Sequence, residues 1–498
     1  MRWKGSSGVT RVHQTRPVLL TRQRVRLCAL ACLCVSAAKA QHAPGSPDHP
    51  WQPPSSAEQH QKAAAEKDHR TVIEPGHLYT LPELIDLAER SNPTTRVAWE
   101  AARAQADQLR IARSDLLPAL TAILVTNTTR DGVLLNSEFY RQTLGLYQPE
   151  LQVTYLVLDF GGRSAQIAAA RERLASANFS FNRVHLDVLF ETSRRYYRLL
   201  DAIGQREAAQ VNFDNAETVR KAVEARLAVG LATLPDALEA RAAAAQANFT
   251  LQAAIGQIDI SRGDLLSFLG ASPLDPLNAQ SLDQLHLPDT FDVDVKDATE
   301  RGLAQRPELG EQLADRDAAE AAIRQARAAF LPHIDFQGQG GEIRAFGQQN
   351  QLPSTYAGPL EEWNVNLNLS WELFDGGRRQ GELARAHADQ RRAQAQIDQT
   401  RDDVEQQVWT AYVSVRTAFY QRNAATQLLE AARTSYAASL RSYQLGLRNT
   451  VDVVSAQRTL AQALSTDVTA RTELLTQLAN FAYRTGDLLH AAAAKGHP

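Results

Sequence analysis

Two aspartates have the most distinctive setting in the sequence. Asp236 and Asp452 each stand six residues after a glycine, Gly230 and Gly446, between long segments rich in Ala, Gln and Arg. The helical periodicity of those segments makes residues 228–236 and 443–452 the turns of two αα-hairpins. Gly at the end of one helix accepts the left-handed cap, and Asp in the first turn of the next suits its positive end. In its plainest form that is the chemistry of helix capping.

Catalytic patterns fare less well. Asp159-Phe160-Gly161 spells a kinase metal-binding triplet, but neither a Gly-rich loop nor a His-Arg-Asp loop accompanies it, and it reads as a strand-to-helix turn. No P-loop, His-Glu-x-x-His or Gly-x-Ser-x-Gly occurs. His185, His333 and His387 are isolated in sequence, and His42, His49, His60 and His69 are irregularly spaced without acidic or Cys partners. All three cysteines, Cys28, Cys32 and Cys34, fall near the N-terminus. No catalytic, metal or cofactor site is expected, and the chain is not expected to be an enzyme.

The elements around the two turns must then carry the function. Net charge is −3 over 498 residues, which gives no reason to expect nucleic acid. Ala dominates the apolar count, a composition suited to long helices packed along thin seams. Arg22, Arg24 and Arg26, the apolar stretch 27–38 and Ala38-Lys39-Ala40 predict a secretory signal over residues 1–40. Lipidation at Cys32 is the minor reading, because Ala29 stands where Leu is usual. Residues 41–76, rich in Pro, Ser and His, are expected to be a disordered tail. Beyond the signal no run of about eighteen apolar residues predicts a membrane helix.

Along the chain, residues 77–270 form one unit, 271–295 a linker, 296–488 a second unit and 489–498 a C-terminal tail. The first unit predicts a short helix to Asn92-Pro93, a longer one stopped by Pro118, strands over 119–130 and 150–160, and a turn at Gly161-Gly162. A helix of about 100 Å then runs to about Val229, with Ile167, Leu174, Phe181 and Val188 at heptad spacing. The second unit replays the first. Pro307 and Pro332 follow Pro93 and Pro118 by 214 residues, Gly376-Gly377 follows Gly161-Gly162 by 215, and Gly446 follows Gly230 by 216. Landmarks holding one offset within two residues indicate internal duplication.

The second strand of the second unit, residues 364–374, alternates cleanly: Val365, Leu367, Leu369, Trp371 and Leu373 against Asn364, Asn366, Asn368, Ser370 and Glu372. Such alternation, with Trp363 and Trp371 toward the ends, suits a membrane barrel strand. Four strands per chain cannot close a barrel, and open edges are not tolerated in lipid, so other copies must complete it. Two copies or three satisfy this argument.

The duplicated series from Asn92-Pro93 and Leu117-Pro118 through Gly161-Gly162-Arg163 and Gly230, repeated from Arg306-Pro307 to Gly376-Gly377-Arg378 and Gly446, resembles the TolC-like outer-membrane efflux protein family over about residues 78–488. The resemblance implies a mainly α protomer with a small β part. It also implies a homotrimer with a twelve-stranded β-barrel in the outer membrane and an α-helical barrel in the periplasm. Function is then that of a passive exit duct for a tripartite efflux pump, docked through a periplasmic adaptor to an inner-membrane RND-type or ABC transporter. Type I protein secretion is the alternative within the same class, and a secreted coiled-coil structural protein the alternative outside it.

Carried over by position, the resemblance implies a periplasmic gate in which Asp236 faces Tyr443 and Arg448, while Asp452 forms an acidic ring. The tips Gly230, Leu231, Gly446 and Leu447 are implied as the adaptor-docking surface. Two positions depart from the family: Ser455 stands where a second acidic residue is frequent, and Pro235 where a hydroxyl residue is. Both departures would loosen a closed gate. Capping alone is the competing role for both aspartates.

Overall fold

A computed structural model describes residues 71–488, apart from Asn136, His286, Asp289 and residues 350–358. The expected signal, residues 41–70 and residues 489–498 lie outside the described residues. The elements are β1 (Leu78–Tyr79), α1 (Leu81–Ser91), α2 (Pro93–Ser114), β2 (Ala119–Leu135), β3 (Glu138–Leu158), α3 (Gly162–Ala228), α4 (Leu234–Phe268), β4 (Asn278–Ala279), α5 (Val295–Gln305), α6 (Pro307–Ala328), β5 (His333–Gln349), β6 (Pro359–Ser370), α7 (Arg378–Gln444) and α8 (Thr450–Thr485). A short 3-10 turn, Leu282–Gln284, follows β4.

Local chemistry sets these boundaries. Thr80 and Glu83 close a capping box at α1, with the Thr80 N–H donating to Glu83 Oε2 at 2.8 Å. Asn92 ends α1 and caps α2, accepting from the Thr94 N–H at 2.8 Å, and Pro93 occupies the first helical position, where its missing donor costs nothing. In the second unit Arg306 takes that place, buried, and holds Glu308 and Gln407 instead.

α3 and α7 each have 67 residues and start on a left-handed glycine, Gly161 (φ 98°) and Gly377 (φ 93°). In both turns an aspartate accepts from the N–H four residues on, Arg163 N to Asp159 and Arg379 N to Asp375, while the same arginine reaches a carbonyl at the end of the preceding helix, Asp115 O after α2 or Ala329 O after α6. The aspartates and arginines of the two turns correspond at an offset of 216, so the alignment of Gly161-Gly162-Arg163 with Gly376-Gly377-Arg378 is one residue out. The Asp-to-Arg bond and the left-handed cap define the turn, and the glycine pair does not. Phe160 consequently sits at positive φ (50°) where Gly376 (69°) stands in the repeat.

Toward the tips the long helices lie in the order α4, α3, α8, α7, and nearer the sheet α3 packs on α2 and α6 and α7 on α6. Their seams are built from small residues such as Ala216, Ala244 and Ala247, and from Gly204, where a Cβ would come 2.6 Å from Val468 Cγ1. Close backbone approach is what the Ala-rich composition provides. The heptad series does not form one seam: Ile167 and Leu174 pack on Leu109 and Ala112 of α2, whereas Val188 belongs to a belt core with Leu84, Tyr196, Leu200 and Leu265.

Two expectations need correction. Residues 71–76 are held rather than loose: Ile73 is buried in the belt core, and the Thr71 N–H donates to Gly270 O. The linker is also partly ordered, since β4 pairs in parallel with β1 across the belt.

The main sheet is antiparallel in the order β2-β3-β5-β6, leaving β2 and β6 as edges. β3 begins earlier than the sequence suggested, at Glu138, because it forms a hairpin with β2 out to the pair Leu135 and Glu138. β6 ends earlier, at Ser370, where its partner β5 begins at His333. Trp371 leaves the sheet and donates its indole N–H to Phe330 O at 3.1 Å.

Candidate functional site: sheet wall and helical tips

The strand register sorts side chains across all four strands. One face carries Leu120 and Leu124 of β2, Leu151, Val153 and Tyr155 of β3, Ile334 and Phe336 of β5, and Val365, Leu367 and Leu369 of β6. The other carries Thr121, Gln148, Glu150, Gln152, Thr154, Asp335, Gln337, Gln339, Asn364, Asn366 and Asn368, with Ile123 and Val125 of β2 as apolar exceptions. The apolar face is uncovered: Leu120, Leu124, Leu151, Leu367 and Leu369 are all exposed, Leu367 at 68%. Tyr147 and Tyr155 on β3 are eight residues apart, as are Trp363 on β6 and Trp371 just beyond its end. That is about 27 Å along a strand and about 20 Å once tilted, close to the height of an outer-membrane apolar band of about 25 Å. In sequence only β6 alternated cleanly; Gly338, Gly340 and Gly341 blank the pattern in β5. Gly341 has its own reason, as a Cβ there would meet Pro149 O at 2.3 Å.

The two helical tips end alike. Gly230 (φ 74°) and Gly446 (φ 79°) are left-handed, with Leu231 N–H donating to Arg226 O at 2.8 Å and Leu447 N–H to Ser442 O at 2.9 Å. Both are Schellman motifs that satisfy the last carbonyls of α3 and α7. The leucines following each glycine are exposed, Leu231 at 68% and Leu447 at 76%, with Val229, Leu234 and Leu445 beside them.

The aspartates differ despite their equivalent positions. Thr233 and Asp236 form a complete capping box at α4. The Thr233 hydroxyl and N–H hold the Asp236 carboxyl below its ordinary range, and the Thr450 hydroxyl from the second tip adds to them. Asn449 caps α8 by accepting from the Asp452 N–H at 2.9 Å. Among the described residues, neither the Asp452 carboxylate nor the Arg448 guanidinium makes a hydrogen bond or ion pair. No bond joins Asp236 to Tyr443 or Arg448 within the chain. The partner of Tyr443 is Arg226, whose Nη1 donates to Tyr443 O at 2.6 Å while its guanidinium lies 4.8 Å from the ring centroid. Tyr443 is buried with Val223, Tyr436 and Val453, and its hydroxyl has no partner. Sequence reasoning missed Arg226; its position in the last turn of α3, one residue before the equivalent of Tyr443, was the available signal.

The remaining polar groups build no reaction centre. His185 and His333 are not isolated, since each has one carboxylate neighbour, Glu89 at 3.2 Å and Asp335 at 3.3 Å. Among the described residues no group of three or more His, Cys, Asp or Glu is placed to hold a metal ion.

Comparison with known proteins places this geometry. The family described as Outer membrane efflux protein matches residues 84–271 and 299–486, the two duplicated units. Protein CyaE of Bordetella pertussis is 27% identical over 418 residues, covering 82% of this chain and 84% of that protein. The pyoverdine export outer membrane protein OpmQ of Pseudomonas aeruginosa is 25% identical over 429 residues, covering 82% and 86%. Among solved structures, the Campylobacter jejuni CmeC outer membrane channel superposes with a TM-score of 0.72 at 18% identity, covering 83% of this chain and 88% of that one. The open state of the Neisseria gonorrhoeae MtrE outer membrane channel gives 0.68 at 20%, covering 84% and 94%. The chain belongs to the outer membrane efflux protein family, and its place is the outer membrane, with the long helices in the periplasm.

Proposed function

We propose that this chain is the passive exit duct of a tripartite efflux pump, assembled as a homotrimer and gated at its periplasmic tips. The observation that carries this reading is the four-stranded sheet, apolar on one face, polar on the other and open at both edges. Strands of 17, 21, 17 and 12 residues exceed the 9–11 or so that span a bilayer. Pairing β6 of one copy with β2 of the next removes every edge. Two copies would give eight strands and an interior filled by side chains, whereas three give twelve and leave a lumen lined by the Gln, Asn and Glu face. The relative described as a pyoverdine export outer membrane protein supports the same reading.

Polarity of the lumen and the lack of an energy-coupling motif leave substrate choice to an inner-membrane RND-type or ABC transporter. The exposed leucines at Gly230-Leu231 and Gly446-Leu447 are the docking surface for a periplasmic adaptor. In the gate, the Arg226–Tyr443 contact and the Asp236–Thr450 contact fasten the two tips of one chain. Arg448 and Asp452, unengaged within the chain, face the neighbouring copies: Arg448 as a donor to their carboxylates, Asp452 as an acidic ring that favours cations.

The test is single-channel conductance of the detergent-purified oligomer in planar bilayers. A small, cation-selective conductance is expected, rising in Arg448→Ser and losing selectivity in Asp452→Ala. A folded oligomer that does not conduct would overturn the duct reading. Conductance indifferent to both substitutions would overturn the gate assignment.

A further inference from the structure

Between the belt and the sheet, α2 and α6 flank α3 and leave a groove of about 330 Å³ between them. That lies within the range of small-molecule sites, about 300–1,000 Å³. Arg173, Ser176 and Phe181 of α3 line it, with Glu311 and Asp315 of α6 on one side and Ala101 of α2 on the other. The groove is on the same side of α3 as the belt, because the Phe181 ring lies 6.1 Å from that of His185, which meets Glu89 of α1 at 3.2 Å. A belt on the inner side of a ring of helices would plug it, so the groove opens outward, to the periplasm. At 1.5 Å per residue along α3, Arg173 is about 17 Å from the start of the helix at Gly162, clear of the sheet.

The charges of this groove are kept apart. Among the described residues neither Arg173 nor Asp315 makes a hydrogen bond or ion pair, although both line one cavity with opposite charge. Glu311 and Asp315 stand one turn apart on α6, where like charges repel. Burial pushes the Glu311 carboxyl up and Asp315 adds to this, against the pull of Arg183 at 3.5 Å. The duplication supplies an internal control. At the offset of 216, Asp389 and Arg392 of α7 stand for Arg173 and Ser176, and they pair with each other at 3.3 Å. At the offset of 214, Val97 and Ala101 of α2 stand for Glu311 and Asp315. Helix packing therefore does not require separated charges at these places. We propose that the groove binds the zwitterionic end of a short peptide, an amino-acid centre that carries both an ammonium and a carboxylate. Arg173 takes the carboxylate with its forked donors, Asp315 and Glu311 take the ammonium, and the Ser176 hydroxyl serves the amide between them. Two sources in the periplasm offer that chemistry: the peptide stems of the cell wall and free peptides.

The outward facing of the groove rests on the duct reading; the binding chemistry does not, and the two fail separately. The probe is the wall tripeptide that ends in meso-diaminopimelate, titrated by calorimetry into the detergent-purified oligomer. The tripeptide is expected to bind, and Arg173→Gln and Asp315→Asn each to weaken it about tenfold or more, since each removes a charge-assisted bond. Acetylating the amines of the tripeptide is expected to weaken it as much. Asp389→Asn/Arg392→Gln, at the equivalent places on α7, is expected to leave binding unchanged, and conductance in planar bilayers should be the same for all of these variants. A conducting oligomer that does not bind the tripeptide, that binds the acetylated form equally, or that is indifferent to both Arg173→Gln and Asp315→Asn would overturn the site and leave the duct standing. An oligomer that binds the tripeptide and never conducts would overturn the duct and leave the site. Sedimentation with purified cell-wall sacculi distinguishes the sources. Pelleting of the unsubstituted oligomer, lost in Arg173→Gln/Asp315→Asn, assigns the groove to wall peptides; tripeptide binding without pelleting assigns it to free ones.

Discussion

Arg226→Met isolates the fastening between the two tips. Methionine keeps an unbranched apolar stem and removes the guanidinium. Two interactions are lost: the bond from Nη1 to Tyr443 O and the stacking over the Tyr443 ring. A hydrogen bond from a charged donor contributes about 1.5–3 kcal/mol and stacking of a half-exposed cation about 0.5–1 kcal/mol. Both come from one group, and water replaces part of each, so about 2 kcal/mol per chain is the working figure. At tenfold per 1.4 kcal/mol, that shifts a closed-to-open equilibrium about 30-fold for each latch that acts independently. The readouts are open probability in planar bilayers and entry of a large hydrophilic antibiotic into cells carrying the variant. Tyr443→Phe is the comparator, because it keeps the ring and the carbonyl and removes only a hydroxyl that is buried without a partner. It is expected to behave like the unsubstituted protein or to be slightly more stable. An Arg226→Met oligomer with unchanged open probability would refute the latch. Opening by Tyr443→Phe to the same degree would show that the hydroxyl finds a partner in the assembled duct and that the ring-and-carbonyl account is wrong.

Other consequences follow from the turns and the sheet. Burial alone would raise the Asp375 carboxyl, but the Arg379 side chain, its N–H and the Gly377 N–H outweigh burial and hold it down at about 2. A depressed carboxyl stabilises fully above about pH 4 and progressively less as pH falls through the folded value. The difference in melting temperature between the unsubstituted chain and Asp375→Asn should therefore be nearly constant above about pH 4, shrink as pH falls toward 2 and vanish only below it; a difference at pH 2 as large as that at neutral pH would contradict it. Gly341→Ala puts a methyl group against the Pro149 carbonyl between β3 and β5, and loss of heat-modifiable oligomers from the outer membrane is expected. Gly381→Ala, on an open stretch of α7 with nothing within 4 Å of the new methyl, should instead raise helix stability by up to about 1 kcal/mol, measured by thermal melting.

The long helices and the duplication were legible because they depend on local signals. Asn92-Pro93, Pro118, Gly230 and Gly446 stop or turn the backbone by their own stereochemistry, and they recur at nearly constant spacing. The sheet was legible only at β6, where over residues 362–369 every residue on one face is Asn or Glu and every one on the other is Trp, Val or Leu. In β5 the glycines remove the side chains that would show the period, and its apolar face emerges only when Ile334 and Phe336 pair with Leu369 and Leu367. The one-residue error at the strand-to-helix turn has the same origin: glycines were matched to glycines, whereas the structure matches Asp159 to Asp375 and leaves Phe160 in the left-handed place. At the tips, position alone could not distinguish Asp236 from Asp452. Both occupy the third helical position, but Thr233 donates to the first and Asn449 leaves the second carboxylate unengaged. Duplication thus supplies one scaffold twice, and function gathers where the copies differ. Leu227 corresponds to Tyr443 and Arg226 to Ser442, so only the first tip carries the guanidinium that reaches the other; Ala232 corresponds to Arg448, a charge without a hydrogen bond or ion pair among the described residues.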